Sequence, residues 1–281
     1  MSGSLKLYRT AAGPVLEADG VFVPMEEEWD ALVNRPALAR HLGRAAAGNR
    51  PGLRPDEPLL APCAGQEVWG AGVTYDRSRT ARIDESQAAG GAGGGASFYD
   101  RVYEAERPEL FFKCAAWRAR GSGQPVRIRR DAKWSVPEPE LVVCANARGE
   151  IVGYTIGDDL SARDIEAENP LYLPQAKIWD GACALGPALL VREEPLPPET
   201  SIALRVVRAG AAAFEGSTTL ARMRRPLAEL VAYLYRETSF PAGCLLLTGT
   251  GIVPPDAFAL RSGDEVEITV PEIGTLRNRV E

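Results

Sequence analysis

Residues 138–164 read Glu-Pro-Glu-Leu-Val-Val-Cys-Ala-Asn-Ala-Arg-Gly-Glu-Ile-Val-Gly-Tyr-Thr-Ile-Gly-Asp-Asp-Leu-Ser-Ala-Arg-Asp, and no other stretch constrains the fold as tightly. Residues 141–144 and 151–156 are apolar runs rich in β-branched side chains. The turn-type segment Asn146-Ala147-Arg148-Gly149-Glu150 divides them, so they should pair as an antiparallel hairpin. Facing residues in a hairpin have a constant sum of numbers, about 296 for a turn centred near Arg148. That register brings Asp158 and Asp159 opposite Glu138 and Glu140. Two glutamates at i and i+2 of a strand share a face and repel unless a cation sits between them. Carboxylates converging from rigid strands, with no histidine nearby, suit a hard divalent ion such as Mg²⁺, with Mn²⁺ or Ca²⁺ as alternatives. The same spacing is also that of an ordinary solvated strand face, and spacing alone leaves both readings open.

A chain of 281 residues, 45% of them apolar, can bury a full core, as one large domain or as one large and one small. The formal net charge of −6 argues against a nucleic-acid partner, because no basic stripe stands ready to replace counterions. Small molecules are the expected partners. No run of about 18 apolar residues occurs, and Met-Ser-Gly-Ser-Leu-Lys lacks the regions of a signal peptide, so the expectation is a soluble, cytoplasmic chain. Cys63, Cys114, Cys144, Cys183 and Cys244 are odd in number and widely spaced, which suits reduced core thiols better than a disulfide framework.

The first sixty residues read as a small unit of their own. Short strand-like pieces at 5–8, 14–16 and 21–23 are divided by Gly13 and Gly20. Trp29, Leu32, Val33, Leu38, Leu42 and Ala45 then recur at helical spacing, broken near Pro36, and residues 48–52 make a linker. His41, the chain's one histidine, falls on the second helix, where a lone histidine is usually a surface residue. The expected division is therefore 1–60 and 61–281.

The larger unit opens with Glu67-Val68-Trp69-Gly70-Ala71-Gly72-Val73-Thr74-Tyr75. This segment lacks the third glycine of a dinucleotide loop, which rules that cofactor out. Residues 84–97 are a Gly/Ala-rich low-complexity segment, either an idle surface loop or the hinge of a lid. Arg107-Pro108-Glu109-Leu110-Phe111-Phe112-Lys113 follows, in which residues 110–112 read as a buried strand with a charge at each end. Beyond the hairpin, Ser161 is placed to cap a short helix that Pro170 ends. Lys177 is then either the carboxylates' counter-charge or a desolvated acid–base group. Residues 202–206 and 266–270 alternate as half-buried strands, and Pro226 opens an amphipathic helix with Leu227, Leu230, Val231 and Leu234 on its apolar stripe. Thr248-Gly249-Thr250-Gly251 is either a plain turn or an anion-approaching loop.

Glu138-Pro139-Glu140-Leu141, residues 153–164 as quoted above, Lys177, Gly186-Pro187, residues 247–251 and Ile273-Gly274-Thr275-Leu276-Arg277-Asn278 occur in this order. Together they resemble the fumarylacetoacetate hydrolase family over roughly residues 63–281. The resemblance implies an α+β, mainly β fold, a mixed β-sandwich roll with a small N-terminal α/β domain. It implies metal ligands at Glu138, Glu140 and Asp159, catalytic roles for Glu109 and Lys177, and substrate contacts at Tyr75, Lys113, Arg163 and Thr250. It also implies a small 2-keto acid substrate and a homodimer or homotetramer.

The family's hydrolases place a catalytic histidine three residues after the tyrosine, and Ser78 stands there in this chain. The Arg-Pro-Glu-x-Phe-Phe-Lys stretch is instead similar to the branch that dehydrates 2-keto-3-deoxy sugar acids. The activity implied is dehydration of a 2-keto-3-deoxy-pentonate to 2-oxoglutarate semialdehyde, with Mg²⁺ as cofactor. The alternative is metal-dependent C–C hydrolysis or decarboxylation of a 2,4-diketo acid.

Overall fold

A computed structural model describes residues 4–48, 51–78, 80, 101–192 and 194–281. The expected lid segment at 84–97 lies outside the described residues. The N-terminal meander forms β1 (Leu5–Thr10), β2 (Gly13–Ala18) and β3 (Val21–Pro24), followed by α1 (Trp29–Val33) and α2 (Leu38–Gly48). Next come β4 (Glu67–Gly72), β5 (Glu109–Ala115), β6 (Ser135–Val136), β7 (Pro139–Ala145), β8 (Ile151–Asp159) and β9 (Ser161–Ala162). Two short helices, α3 (Arg163–Glu168) and α4 (Leu173–Lys177), lead to β10 (Cys183–Val191), β11 (Ser201–Arg208) and β12 (Ala211–Thr219). The chain closes with α5 (Leu227–Leu234), β13 (Cys244–Leu247), β14 (Glu265–Val270) and β15 (Gly274–Arg279).

Among the described residues these strands make a large sheet, β3-β2-β1-β10-β8-β7-β13-β4-β5, a smaller one, β12-β11-β14-β15, and the pair β6-β9. β1 pairs antiparallel with β10, so the N-terminal meander continues the large sheet.

The hairpin β7–β8 runs through the middle of that sheet, and the reason is visible in its sequence. Leu141, Val143 and Ala145 enter the core shared with Leu204, Val206, Ile268 and α5, while Val142 and Cys144 enter the core shared with Leu16, Trp29 and Leu32. A strand buried on both faces reads as a continuous apolar run. The small sheet keeps one wet face: Ile202, Leu204 and Val206 are buried, and Arg205 between them is exposed. All five cysteines are buried and free, as expected of core thiols.

The hairpin departs from the simplest register by one residue. Ala145 faces Ile151 but Cys144 faces Gly153, so Val152 is extra. The bulge moves the far end of β8 along by one position: Pro139 faces Asp158 and Glu140 faces Gly157. The Asp159 N–H donates to the Glu138 carbonyl at 3.0 Å, so the two side chains leave the sheet on the same face.

Candidate active site

The structure brings carboxylate oxygens of Glu138, Glu140 and Asp159 within 4.8 Å of one another, all three side chains buried. Each carboxylate is held from a different direction. Glu138 accepts from Arg163 Nε at 3.0 Å and from Lys177 Nζ at 2.8 Å. Asp159 accepts from Lys177 Nζ at 3.0 Å and contacts Lys113 Nζ with its other oxygen. Glu140 accepts from the backbone N–H of Gly249. That N–H is available because Gly249 has φ +90°, and a Cβ there would overlap the Thr74 hydroxyl.

The electrostatics follow from burial. Five buried carboxyl groups (Glu138, Glu140, Asp158, Asp159 and, in the cleft wall, Glu166) stand against three buried cations (Lys113, Arg163, Lys177). Desolvation, then the neighbouring Asp159 and Glu138, hold the Glu140 carboxyl well above the usual carboxylate range. Burial also pushes Asp158 up to about 7, although its Oδ1 accepts from the Glu138 N–H at 3.0 Å. An all-oxygen donor set that is short of positive charge fits a hard divalent cation, and Glu138, Glu140 and Asp159 would hold it.

These residues floor a cleft whose walls include Gly72, Ser78, Glu109, Phe111, Glu166, Leu173, Lys177 and Thr250. Glu109 reaches it because its strand partner is Gly72, where any Cβ would overlap the carboxylate. Val73 beside it has φ 53°, a strained conformation for a β-branched residue of the kind that collects at functional sites. The Ser78 hydroxyl donates to the Tyr75 carbonyl at 2.8 Å. His41 is elsewhere, its Nε2 2.7 Å from Glu27 Oε1.

The other residues singled out in the sequence are placed as follows. Thr250 lines the cleft, and its hydroxyl bonds with the Ile252 backbone at 3.2 Å. Lys113 and Arg163 lie behind the carboxylates and outside the cleft lining, where Lys113 also donates to the Leu160 carbonyl at 2.9 Å. Tyr75 is buried and borders a neighbouring groove with Ser217 and Thr218.

Ser161 does not cap α3. It lies on β9, donates to the Asp159 carbonyl at 2.9 Å and accepts from Lys177 Nζ at 2.6 Å. The cap position is Ala162, without a side-chain bond. A hydroxyl so near a buried ammonium is better used there than on a helix N–H that water can satisfy.

Glu166 and Leu173 line the cleft and were not singled out from the sequence. Glu166 carries a legible signal, since it lies one turn after Arg163 on α3 and must share its face.

The family model described as fumarylacetoacetate (FAA) hydrolase C-terminal matches residues 95–281. A 2-dehydro-3-deoxy-D-arabinonate dehydratase of Saccharolobus solfataricus is 46% identical over 222 residues, 79% of this chain and 74% of that protein. A solved structure of 2-keto-3-deoxy-D-arabinonate dehydratase complexed with magnesium and 2,5-dioxopentanoate superposes with a TM-score of 0.82 at 35% identity, covering 99% of this chain and 98% of that one. An oxaloacetate tautomerase of Bacillus subtilis is 31% identical over 141 residues, 48% of this chain and 45% of that protein. A model matched from residue 95 to the last residue, with a 46% identical relative aligned over most of the chain, makes this chain a member of the fumarylacetoacetate hydrolase family.

Proposed function

We propose that this protein is a Mg²⁺-dependent hydro-lyase that removes water from a 2-keto-3-deoxy-pentonate and yields 2-oxoglutarate semialdehyde, also called 2,5-dioxopentanoate. The observation that carries the reading is the buried Glu138/Glu140/Asp159 triad with Lys177 and Glu109 on one cleft. It sits in a chain whose 46% identical relative is a dehydratase of this substrate class.

A bound divalent ion would favour enolate formation by polarising the substrate's carboxylate and 2-keto oxygens. The protein's own groups then handle protons. A proton leaves C3 and returns there after the C4 hydroxide has gone. The C5 hydrogen shifts to C4, and the C5 hydroxyl proton completes the water, leaving an aldehyde. Lys177 and Glu109, both at the cleft wall, are the acid–base pair for these transfers. Thr250 binds the substrate carboxylate, while Lys113 and Arg163 act on substrate through the carboxylates they hold, and Tyr75, packed against Gly251, supports the Thr250 loop. No histidine lines the cleft to activate a hydrolytic water, which disfavours C–C hydrolysis.

The same proposal includes the division at residues 60 and 61. The first segment supplies a sheet edge and two helices, and none of the proposed site residues. It also includes a cytoplasmic homodimer or homotetramer; none of the described helices is long and apolar enough to cross a membrane. The deciding experiment incubates purified protein and Mg²⁺ with 2-keto-3-deoxy-pentonates and with 2,4-diketo acids. A single five-carbon product one water lighter supports the reading. Two fragments from a diketo acid, with pentonates untouched, overturn it.

A further inference from the structure

Lys177 is held at both ends. Its backbone carbonyl, at the end of α4, accepts from the buried Lys113 Nζ, and its own Nζ reaches the cleft wall on a flexible four-carbon stem. Three acceptors meet that ammonium: Glu138 Oε2 at 2.8 Å, Asp159 Oδ2 at 3.0 Å and Ser161 Oγ at 2.6 Å. A protonated lysine has three N–H donors, one for each.

The three partners are not equivalent. Both carboxylates are candidate metal ligands, and each also serves another buried cation, Arg163 at Glu138 and Lys113 at Asp159. Charge attraction holds an ammonium near a carboxylate without fixing its direction, because lysine is a point charge with rotatable donors. Ser161 is neutral and wholly buried, and among the described residues it serves no other cation. Its one proton is spent on the Asp159 carbonyl at 2.9 Å, so its lone pairs are what remain to face Lys177. The hydroxyl cannot turn away without breaking a buried hydrogen bond. Ser161 also faces Val136 across β9–β6, two residues before Glu138, so this acceptor is fixed to the same backbone that carries Glu138 and Asp159. It does not itself line the cleft.

We infer that Ser161 is a positioning residue for the acid–base step: its hydroxyl fixes the Lys177 ammonium at the cleft wall and so governs turnover without touching substrate. This rests on the dehydratase reading above. A misplaced acid–base group lowers the fraction of bound complexes able to react, not the number of complexes formed, so the effect belongs in kcat.

The test measures kcat and KM for a 2-keto-3-deoxy-pentonate, and the Mg²⁺ concentration giving half-maximal activity, in wild type, Ser161→Ala and Ser161→Cys. Alanine deletes the acceptor. Cysteine keeps the position filled with a poor acceptor, which keeps the test open should the alanine variant fail to fold. A hydrogen bond to a charged group is worth roughly 10- to 100-fold. Both variants should therefore lose kcat by roughly tenfold or more, while KM and the Mg²⁺ midpoint stay within about twofold of wild type. In Lys177→Met, where the ammonium is already gone, adding Ser161→Ala should change the residual turnover by less than about twofold, because residues that act as a unit are not additive. Unchanged kcat in a folded variant, or a loss that falls on KM or on the Mg²⁺ midpoint, overturns the inference and leaves the dehydratase reading standing. A further loss in the Lys177→Met background as large as in wild type overturns it too, because Ser161 would then act on the fold and not through Lys177. Wild type that turns over no pentonate overturns the dehydratase reading and the inference together.

Discussion

Replacing Glu140 with Gln should make the metal-free protein more stable and the metal-loaded protein inactive. Of the three candidate ligands, Glu138 and Asp159 are each paired with two buried cations, whereas the hydrogen bond to Glu140 comes from the Gly249 backbone. Glutamine keeps an acceptor for that N–H and removes only the charge. Two unit charges 4.8 Å apart, the outer limit for the triad, repel by about 3.5 kcal/mol at an effective dielectric constant of 20. Glu140 has two such neighbours, and the attraction of Lys177 offsets part of the repulsion. The net gain in chelator should be on the order of 1–3 kcal/mol. Metal affinity should fall on the order of 10²-fold with one of three carboxylates neutralised. At a Mg²⁺ concentration 100 times the wild-type Kd, wild type gains about 2.7 kcal/mol and the variant only about 0.4 kcal/mol. Urea denaturation of both proteins, in chelator and in Mg²⁺, reads all four values. A variant less stable than wild type in chelator, or one with the same Mg²⁺ gain, would refute the charge argument.

Lys177→Met leaves Glu138 and Asp159 without a shared counter-charge, so stability in chelator should fall by about 3–5 kcal/mol and turnover by roughly 10² or more; a stable, active variant would remove Lys177 from the mechanism. Glu109→Gln should cut turnover by roughly 10² or more, whereas Ser78→Ala should do much less; the reverse ranking in steady-state assays would favour a hydrolytic site. Asp158 gives a pH signature in chelator. Its folded carboxyl, at about 7, lies above the unfolded value of 3.8, so the folded state holds the extra proton and stability falls as pH rises between them. Asp158→Asn should flatten that slope, which has a limit of about 1.4 kcal/mol per pH unit, and an unchanged profile in urea titrations from pH 4 to 8 would count against the burial argument.

Much of this site was legible before any coordinates. Alternation marked the strands, the turn at 146–150 marked the hairpin, and i, i+2 spacing put Glu138 and Glu140 on one face, because a side chain's direction along a strand follows from local backbone geometry. The resemblance added Asp159, Lys177 and Glu109, all of which the structure gathers at the cleft. The register carried an error of one residue, since the Val152 bulge answers to packing on both faces of β8 and leaves no mark in the apolar run itself. Ser161 was read as a helix cap because the local pattern permits one; the buried Lys177 ammonium, sixteen positions on, is the stronger claimant to its hydroxyl.

The sequence by itself determined which residue types were available and which neighbours along the chain share a face. Only the tertiary structure decided which cation serves which carboxylate, that Glu140 depends on a backbone N–H rather than a buried cation, and that Glu166 and Leu173 line the cleft. Lys113 meets Asp159 across 46 positions of sequence, and Gly249 meets Glu140 across 109. Local propensity is blind to such pairings, because they exist only once burial has removed water and forced each charge to find a partner inside the protein.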